Sequence, residues 1–125
     1  MNPKVLIIED NEQNLYLMRF LLEKHGFTVV EAKDGRKGVE TAKEVKPHLI
    51  LLDIQLPEMD GYAVARELRQ NGELAKTSII AVTSYAMVGD REKAMEAGAD
   101  GYIEKPIDPE RFVEQIRPYI HTPER

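Results

Sequence analysis

Three short stretches of the chain are apolar at every position instead of at alternate ones: Val5-Leu6-Ile7-Ile8, Leu49-Ile50-Leu51-Leu52 and Ile79-Ile80-Ala81-Val82. A strand with one wet face alternates, so continuous runs of this length predict parallel strands covered on both sides. Two weaker runs, Thr28-Val29-Val30 and Gly101-Tyr102-Ile103, have more polar neighbours and fit the edges of the same sheet. The stretches between the runs carry helix spacing. Leu15, Met18, Leu22 and Leu17, Leu21 mark a first helix, closed by Lys24-His25-Gly26. Val39, Ala42 and Val45 mark a second, with Pro47 beyond its end, and Ala63, Val64 and Leu68 a third, stopped by Asn71-Gly72. The spacing predicts a fourth through Met87, Ala94, Met95 and Ala97, ending before Gly98. For the fifth, Asp108 reads as N-cap, Pro109 as first helical residue, and Ile107 against Phe112 as a hydrophobic staple. Strand–helix alternation, about five times over, predicts a three-layer, doubly wound α/β domain with right-handed crossovers.

Composition narrows the function more than the fold. The chain has 125 residues, a net charge of −5, no cysteine and no tryptophan. A chain of this length buries a core without disulfides, and 42% hydrophobic residues exclude intrinsic disorder. The missing cysteines remove thiolate zinc sites and thiol nucleophiles, and His25, His48 and His121 are too scattered for an imidazole metal cluster. The acidic balance argues against a nucleic-acid partner. With no membrane-length apolar run and no signal-peptide pattern, the expectation is a cytoplasmic domain spanning residues 1–121, with a short tail at 122–125.

Doubly wound sheets place their chemistry outside the carboxyl ends of the strands. Strand one runs into Glu9-Asp10, strand three ends in Asp53, strand four in Thr83-Ser84, and strand five continues through Glu104 into Lys105-Pro106. Each alone has an ordinary reading: a helix N-terminal acidic pair, a turn aspartate, a β-branched strand residue, a surface lysine. Together they predict three carboxylates in one cleft. Two such charges at about 4 Å repel by roughly 4 kcal/mol at an effective dielectric near 20, so a compensating cation or a raised pKa is required. All-oxygen ligands select a hard ion, and Mg²⁺ fits best because it keeps waters that a phosphoryl group can replace.

Residues 5–11 (VLIIEDN), 49–61 (LILLDIQLPEMDG), 80–84 (IAVTS) and 98–106 (GADGYIEKP) resemble the response-regulator receiver domain (CheY-like) of two-component signalling. The resemblance runs from about Lys4 to about Ile120. The E-D-N-x-x-N stretch at 9–14 and the A-M-x-G-D-R-E-K-A stretch at 86–94 are similar to stand-alone receivers of the DivK type and to receivers of hybrid kinases. It implies a flavodoxin-like, five-stranded parallel sheet in the order 2-1-3-4-5 with five helices. Asp53 then resembles the phosphoacceptor, and Glu9, Asp10, Asp53 and the Gln55 backbone carbonyl resemble the Mg²⁺ ligands. Lys105 and Thr83 resemble the phosphoryl-contacting pair, Tyr102 the aromatic switch partner of Thr83, Gln55 and Tyr85 the residues that tune hydrolysis, and Lys105-Pro106 the family's cis peptide.

The resemblance also implies a phosphoryl donor, either a sensor histidine kinase or a histidine phosphotransfer protein. It further implies output by protein contact from a monomer or weak dimer, either a downstream protein docked on helix four, strand five and helix five or relay of the phosphoryl group. With so few residues after helix five, the expectation is a receiver without an output domain. Three rivals use the same topology. A flavin or nucleotide binder would want a glycine- or hydroxyl-rich loop where Glu9-Asp10-Asn11-Glu12 stands. An acid-cluster hydrolase would want another acid where Gln55 stands, and a degenerate receiver would leave motif positions unfilled. Arg19, Arg66, Arg69 and Arg91 read as solvated helix charges, and Met87 as a core or adaptable interface residue.

Overall fold

In the computed structural model, which describes residues 2–56, 59–84 and 87–120, five strands alternate with five helices. They are β1 (Lys4–Ile8), α1 (Glu12–Lys24), β2 (Thr28–Ala32), α2 (Gly35–Val45), β3 (Leu49–Asp53), α3 (Gly61–Gln70), β4 (Ser78–Thr83), α4 (Asp90–Ala97), β5 (Gly101–Glu104) and α5 (Phe112–Ile116). Short 3₁₀ turns follow α3 and α5 at Gly72–Leu74 and Arg117–Tyr119. The strands form one parallel sheet in the order β2-β1-β3-β4-β5. Every residue of β3 and β4 is buried, which is why those runs are apolar throughout.

Successive strand residues point to opposite faces, so each run feeds two cores. Val5, Ile7, Leu49 and Leu51 pack with Leu15, Met18 and Leu22 of α1 and with Phe112 and Ile116 of α5. Leu6, Ile8, Ile50 and Leu52 pack with Val39 of α2, Val64 and Leu68 of α3 and Ala94 of α4. Asn11 caps α1 by accepting the Asn14 N–H at 2.9 Å, and Asp34 caps α2 through the Lys37 N–H at 2.8 Å. Among the described residues no helix is long and apolar enough to cross a membrane.

The aspartate–glycine pair before α3 fixes the loop beyond β3. Asp60 accepts the Tyr62 N–H at 3.0 Å, and the Gly61 N–H donates to the Ile54 carbonyl at 3.2 Å. A Cβ on Gly61 would collide with the Ile54 backbone, which has no rotamer to change. Gly61→Ala is therefore expected to destabilise the fold by about 3 kcal/mol, read as a lower urea midpoint, because the main chain itself must move.

Two helix starts differ from the sequence reading. α4 begins at Asp90, after Gly89 at φ +89°, and Met87 lies outside it, exposed, with its N–H held by the Asp90 carboxylate at 2.9 Å. Left-handed backbone cannot continue a helix, so the periodicity through Met87 fails there. α5 begins at Phe112, not Pro109. Asp108 instead caps the preceding turn, its carboxylate accepting the Glu110 N–H at 3.0 Å and its carbonyl the Phe112 N–H at 2.9 Å. Ile107 and Phe112 are both buried in the same core.

Arg69 also departs from expectation. Its guanidinium donates to the carbonyls of Gly98 (2.9 Å), Leu74 (3.1 Å) and Thr77 (2.9 Å) and pairs with Asp100 at 2.8 Å. The five-donor fork satisfies carbonyls left over at the ends of α4 and of the Gly72–Leu74 turn, a tie between elements that a solvated charge would not make. Arg19, paired with Glu23 and Glu31, and the exposed Arg66 and Arg91 do sit at the surface.

Candidate functional site

Parallel register brings the acids together. Ile8 lies opposite Leu52, and Asp53 opposite Val82, so Glu9 follows β1 beside the end of β3 while Thr83 ends β4 on the other side. Glu9, Asp10 and Asp53 place one carboxylate oxygen each within 4.8 Å of one another. Glu9 and Asp53 are buried, and Asp10 is exposed at the rim. Lys105, carried just past β5, sets its Nζ 2.9 Å from Glu9 Oε1 and 3.5 Å from Asp53 Oδ2. The peptide joining it to Pro106 is cis.

The two buried acids are not alike. Glu9 Oε2 accepts the Asn11 N–H at 3.1 Å, while Oε1 is buried and, among the described residues, accepts no aligned hydrogen bond, its compensation being the Lys105 ammonium. Burial pushes the Glu9 carboxyl up to about 7, with the Asp53 charge adding to the rise and Lys105 opposing it. Asp53 Oδ1 accepts the Gln55 N–H at 2.9 Å. These hard, oxygen-only donors with one incompletely compensated oxygen fit a small divalent cation such as Mg²⁺.

A circuit of contacts surrounds Asp53. Beyond its N–H, Gln55 accepts the Ser84 N–H on Oε1 at 3.0 Å. The carbonyl of Thr83, a buried residue, accepts the Lys105 N–H at 2.7 Å, and Lys105 returns to Asp53 through its ammonium. Glu9, Asp10, Asp53, Thr83, Ser84 and Lys105, singled out from the sequence at the ends of β1, β3, β4 and β5, thus border one cleft, whereas Glu104 lines a separate groove. Tyr85 and residues 121–125 lie outside the described residues.

Tyr102 stands apart from the carboxylates. It is half-buried on β5, and its hydroxyl oxygen is buried and, among the described residues, has no hydrogen-bond partner. Burial raises its pKa, and the nearby Asp90 charge raises it further. The ring lines a groove of about 610 Å³ together with Met87, Val88, Arg91, Glu104 and Gln115.

Sequence reasoning missed three contacts that cross the chain: Glu9 with Lys105, Gln55 with Ser84, and the Arg69 fan. Only the first had a signal, since a buried acid cluster demands a cation.

Residues 5–117 match the family described as response regulator receiver domain. The chain is 42% identical over 120 residues to the polar-differentiation response regulator DivK of Brucella anthropi, an alignment covering 96% of this chain and 98% of that protein. Among solved structures, the chemotaxis protein CheY4 of Vibrio cholerae superposes with a TM-score of 0.91 over 96% of this chain and all of that one; at 23% identity it speaks to the fold alone. The receiver domain of a Pseudomonas aeruginosa sensor histidine kinase, with a magnesium ion coordinated in its active site cleft, superposes with a TM-score of 0.86 at 31% identity, covering 95% of this chain and 98% of that one. The flavodoxin-like sheet order, the acid cluster between its strand ends and these matches agree. The chain belongs to the response regulator receiver domain family of two-component signalling, whose members are signalling proteins and not turnover enzymes.

Proposed function

We propose that Asp53 accepts a phosphoryl group from a phosphohistidine on a sensor histidine kinase or a histidine phosphotransfer protein. Glu9, Asp10, Asp53 and the Gln55 carbonyl hold Mg²⁺ for that step. The observation that carries this reading is the convergence of three carboxylates within 4.8 Å of one another, the two buried ones facing the ammonium of Lys105.

In the transfer, an Asp53 oxygen forms the O–P bond while the donor's N–P bond breaks; the imidazole nitrogen keeps the electron pair and takes up a proton. The transition state is loose, so the chain contributes chiefly position and charge. The Gln55 N–H holds one Asp53 oxygen and orients the carboxylate. Lys105 supplies positive charge beside the other oxygen and meets the phosphoryl oxygens as a point charge. Bound among the acids, Mg²⁺ would neutralise the repulsion between Asp53 and an anionic donor. Thr83, at the rim of the same cleft, donates its hydroxyl to the phosphorylated form, and its movement makes room for Tyr102, whose buried hydroxyl has no partner among the described residues. Gln55 and Tyr85 tune hydrolysis of the acyl phosphate.

The readout is a protein partner on α4, β5 and α5, where the groove beneath the exposed Met87 and Val88 adjoins Tyr102. The protein works in the cytoplasm as a monomer or weak dimer, with neither nucleic acid nor membrane as partner. Incubation with acetyl phosphate and Mg²⁺ is expected to add one phosphoryl group, detected by intact-mass spectrometry and absent with EDTA. Labelling that ignores EDTA would overturn the metal assignment.

A further inference from the structure

The circuit around Asp53 has one link unlike the rest. Asp53 to Gln55 is a charge-assisted bond, Thr83 to Lys105 is main chain to main chain, and Lys105 to Asp53 is an ion pair in the protein interior. The link from Gln55 Oε1 to the Ser84 N–H, at 3.0 Å, joins a neutral side-chain amide to an exposed main-chain donor. A backbone N–H can only donate, so it fixes the amide with its oxygen toward Ser84. Gln55 therefore holds both sides of the cleft at once: its main chain grips the carboxylate of Asp53, and its side chain grips the residue after Thr83.

We infer that the Gln55 side chain is a resting-state latch, which holds the end of β4 until a phosphoryl group on Asp53 outcompetes it. The inference rests on the phosphoacceptor reading above. A neutral amide oxygen makes a bond about half as strong as a charged oxygen does. Once three anionic phosphoryl oxygens stand in the cleft, the Ser84 N–H has a better acceptor than Gln55. The Thr83–Ser84 segment is then released from the β3–α3 side and drawn toward the phosphoryl group. The released amide no longer ties the two loops together, so the position after β4 changes without any change in the sheet. Gln55 acts through Ser84 and is a positioning residue; the latch adds to the resistance that phosphorylation must overcome.

The test uses Gln55→Met, which keeps the main-chain N–H and carbonyl of residue 55 and nearly the same volume but has no comparable acceptor, and Gln55→Glu, which restores one. In the resting wild type the Ser84 amide is expected to be protected from hydrogen exchange, in Gln55→Met to exchange several-fold faster, and in Gln55→Glu to regain protection. In a beryllofluoride titration with Mg²⁺, Gln55→Met is expected to bind about two- to five-fold more tightly than wild type, the fold-change set by one exposed neutral hydrogen bond. A Ser84 amide unprotected in the wild type, or equal or weaker beryllofluoride binding in Gln55→Met, overturns the latch and leaves the phosphoacceptor reading standing. A chain that takes up no beryllofluoride in any form overturns the phosphoacceptor reading, and the release step with it.

Discussion

Asp53→Ala is expected to take up no phosphoryl group from acetyl phosphate under conditions that label the wild type. The other two acids do not replace it. Glu9 is buried, with one oxygen on the Asn11 N–H and the other against the Lys105 ammonium, so it is not presented to a phosphoryl donor. Asp10 is exposed at the rim, away from the Gln55 N–H that orients Asp53. Loss of labelling by at least about 100-fold is the expected size, since positioning and charge stabilisation supply most of the catalysis in this reaction class. The variant is also expected to be more stable without metal, because Asp53 raises the cost of ionising Glu9. A raised urea midpoint together with lost labelling separates loss of the nucleophile from loss of the fold. Labelling that survives in a folded Asp53→Ala would move the acceptor to another residue.

The second large effect is a pH dependence opposite to that of carboxylates held ionised by a cationic partner. Glu9 goes from an ordinary 4.5 to about 7 on folding. Between those values the folded chain holds a proton that the unfolded chain has released, so stability falls as pH rises through the window. The contribution is present in full below the unfolded value and lost above the folded one; it amounts to about 3 kcal/mol. Urea titrations in EDTA from about pH 5 to about pH 8 are expected to show that decline. Glu9→Gln, which cannot ionise, is expected to abolish most of the slope and to be the more stable chain at the alkaline end. Mg²⁺ added at that end restores stability to the wild type and not to Glu9→Gln, because a ligand that binds only the folded state stabilises it. A flat wild-type profile would show that Glu9 is ionised without cost.

What was legible in the sequence follows from the kind of interaction involved. β1, β3 and β4 were readable because burial on both faces leaves no polar position within a run, and β2 and β5 because edge strands keep some. Parallel pairing puts the strand ends in line, so Glu9, Asp53, Thr83 and Lys105 were candidates for one cleft as soon as the strands were placed. The start of α4 was missed because one glycine at positive φ, not the apolar spacing, decides it. Arg69 was misread because its acceptors are carbonyls, which every residue has and no composition reveals; Gly98 lies far along the chain from it. The Gln55–Ser84 contact was hidden for the same reason, its donor being main chain.

The Arg69 fan bears on how α4 is held. Only Ala94 and Ala97 of that helix are buried, so little of its own hydrocarbon leaves water when it docks. Its attachment adds to those two alanines a guanidinium gripping the Gly98 carbonyl at the carboxyl end, while the opposite end begins after a glycine with no side-chain cap. Peeling α4 away would thus expose little apolar surface of the helix itself, so its heat-capacity change and denaturant dependence would come mainly from the α3 and sheet side chains it uncovers. The element beside the readout groove can be repositioned by forces that act on a few polar groups.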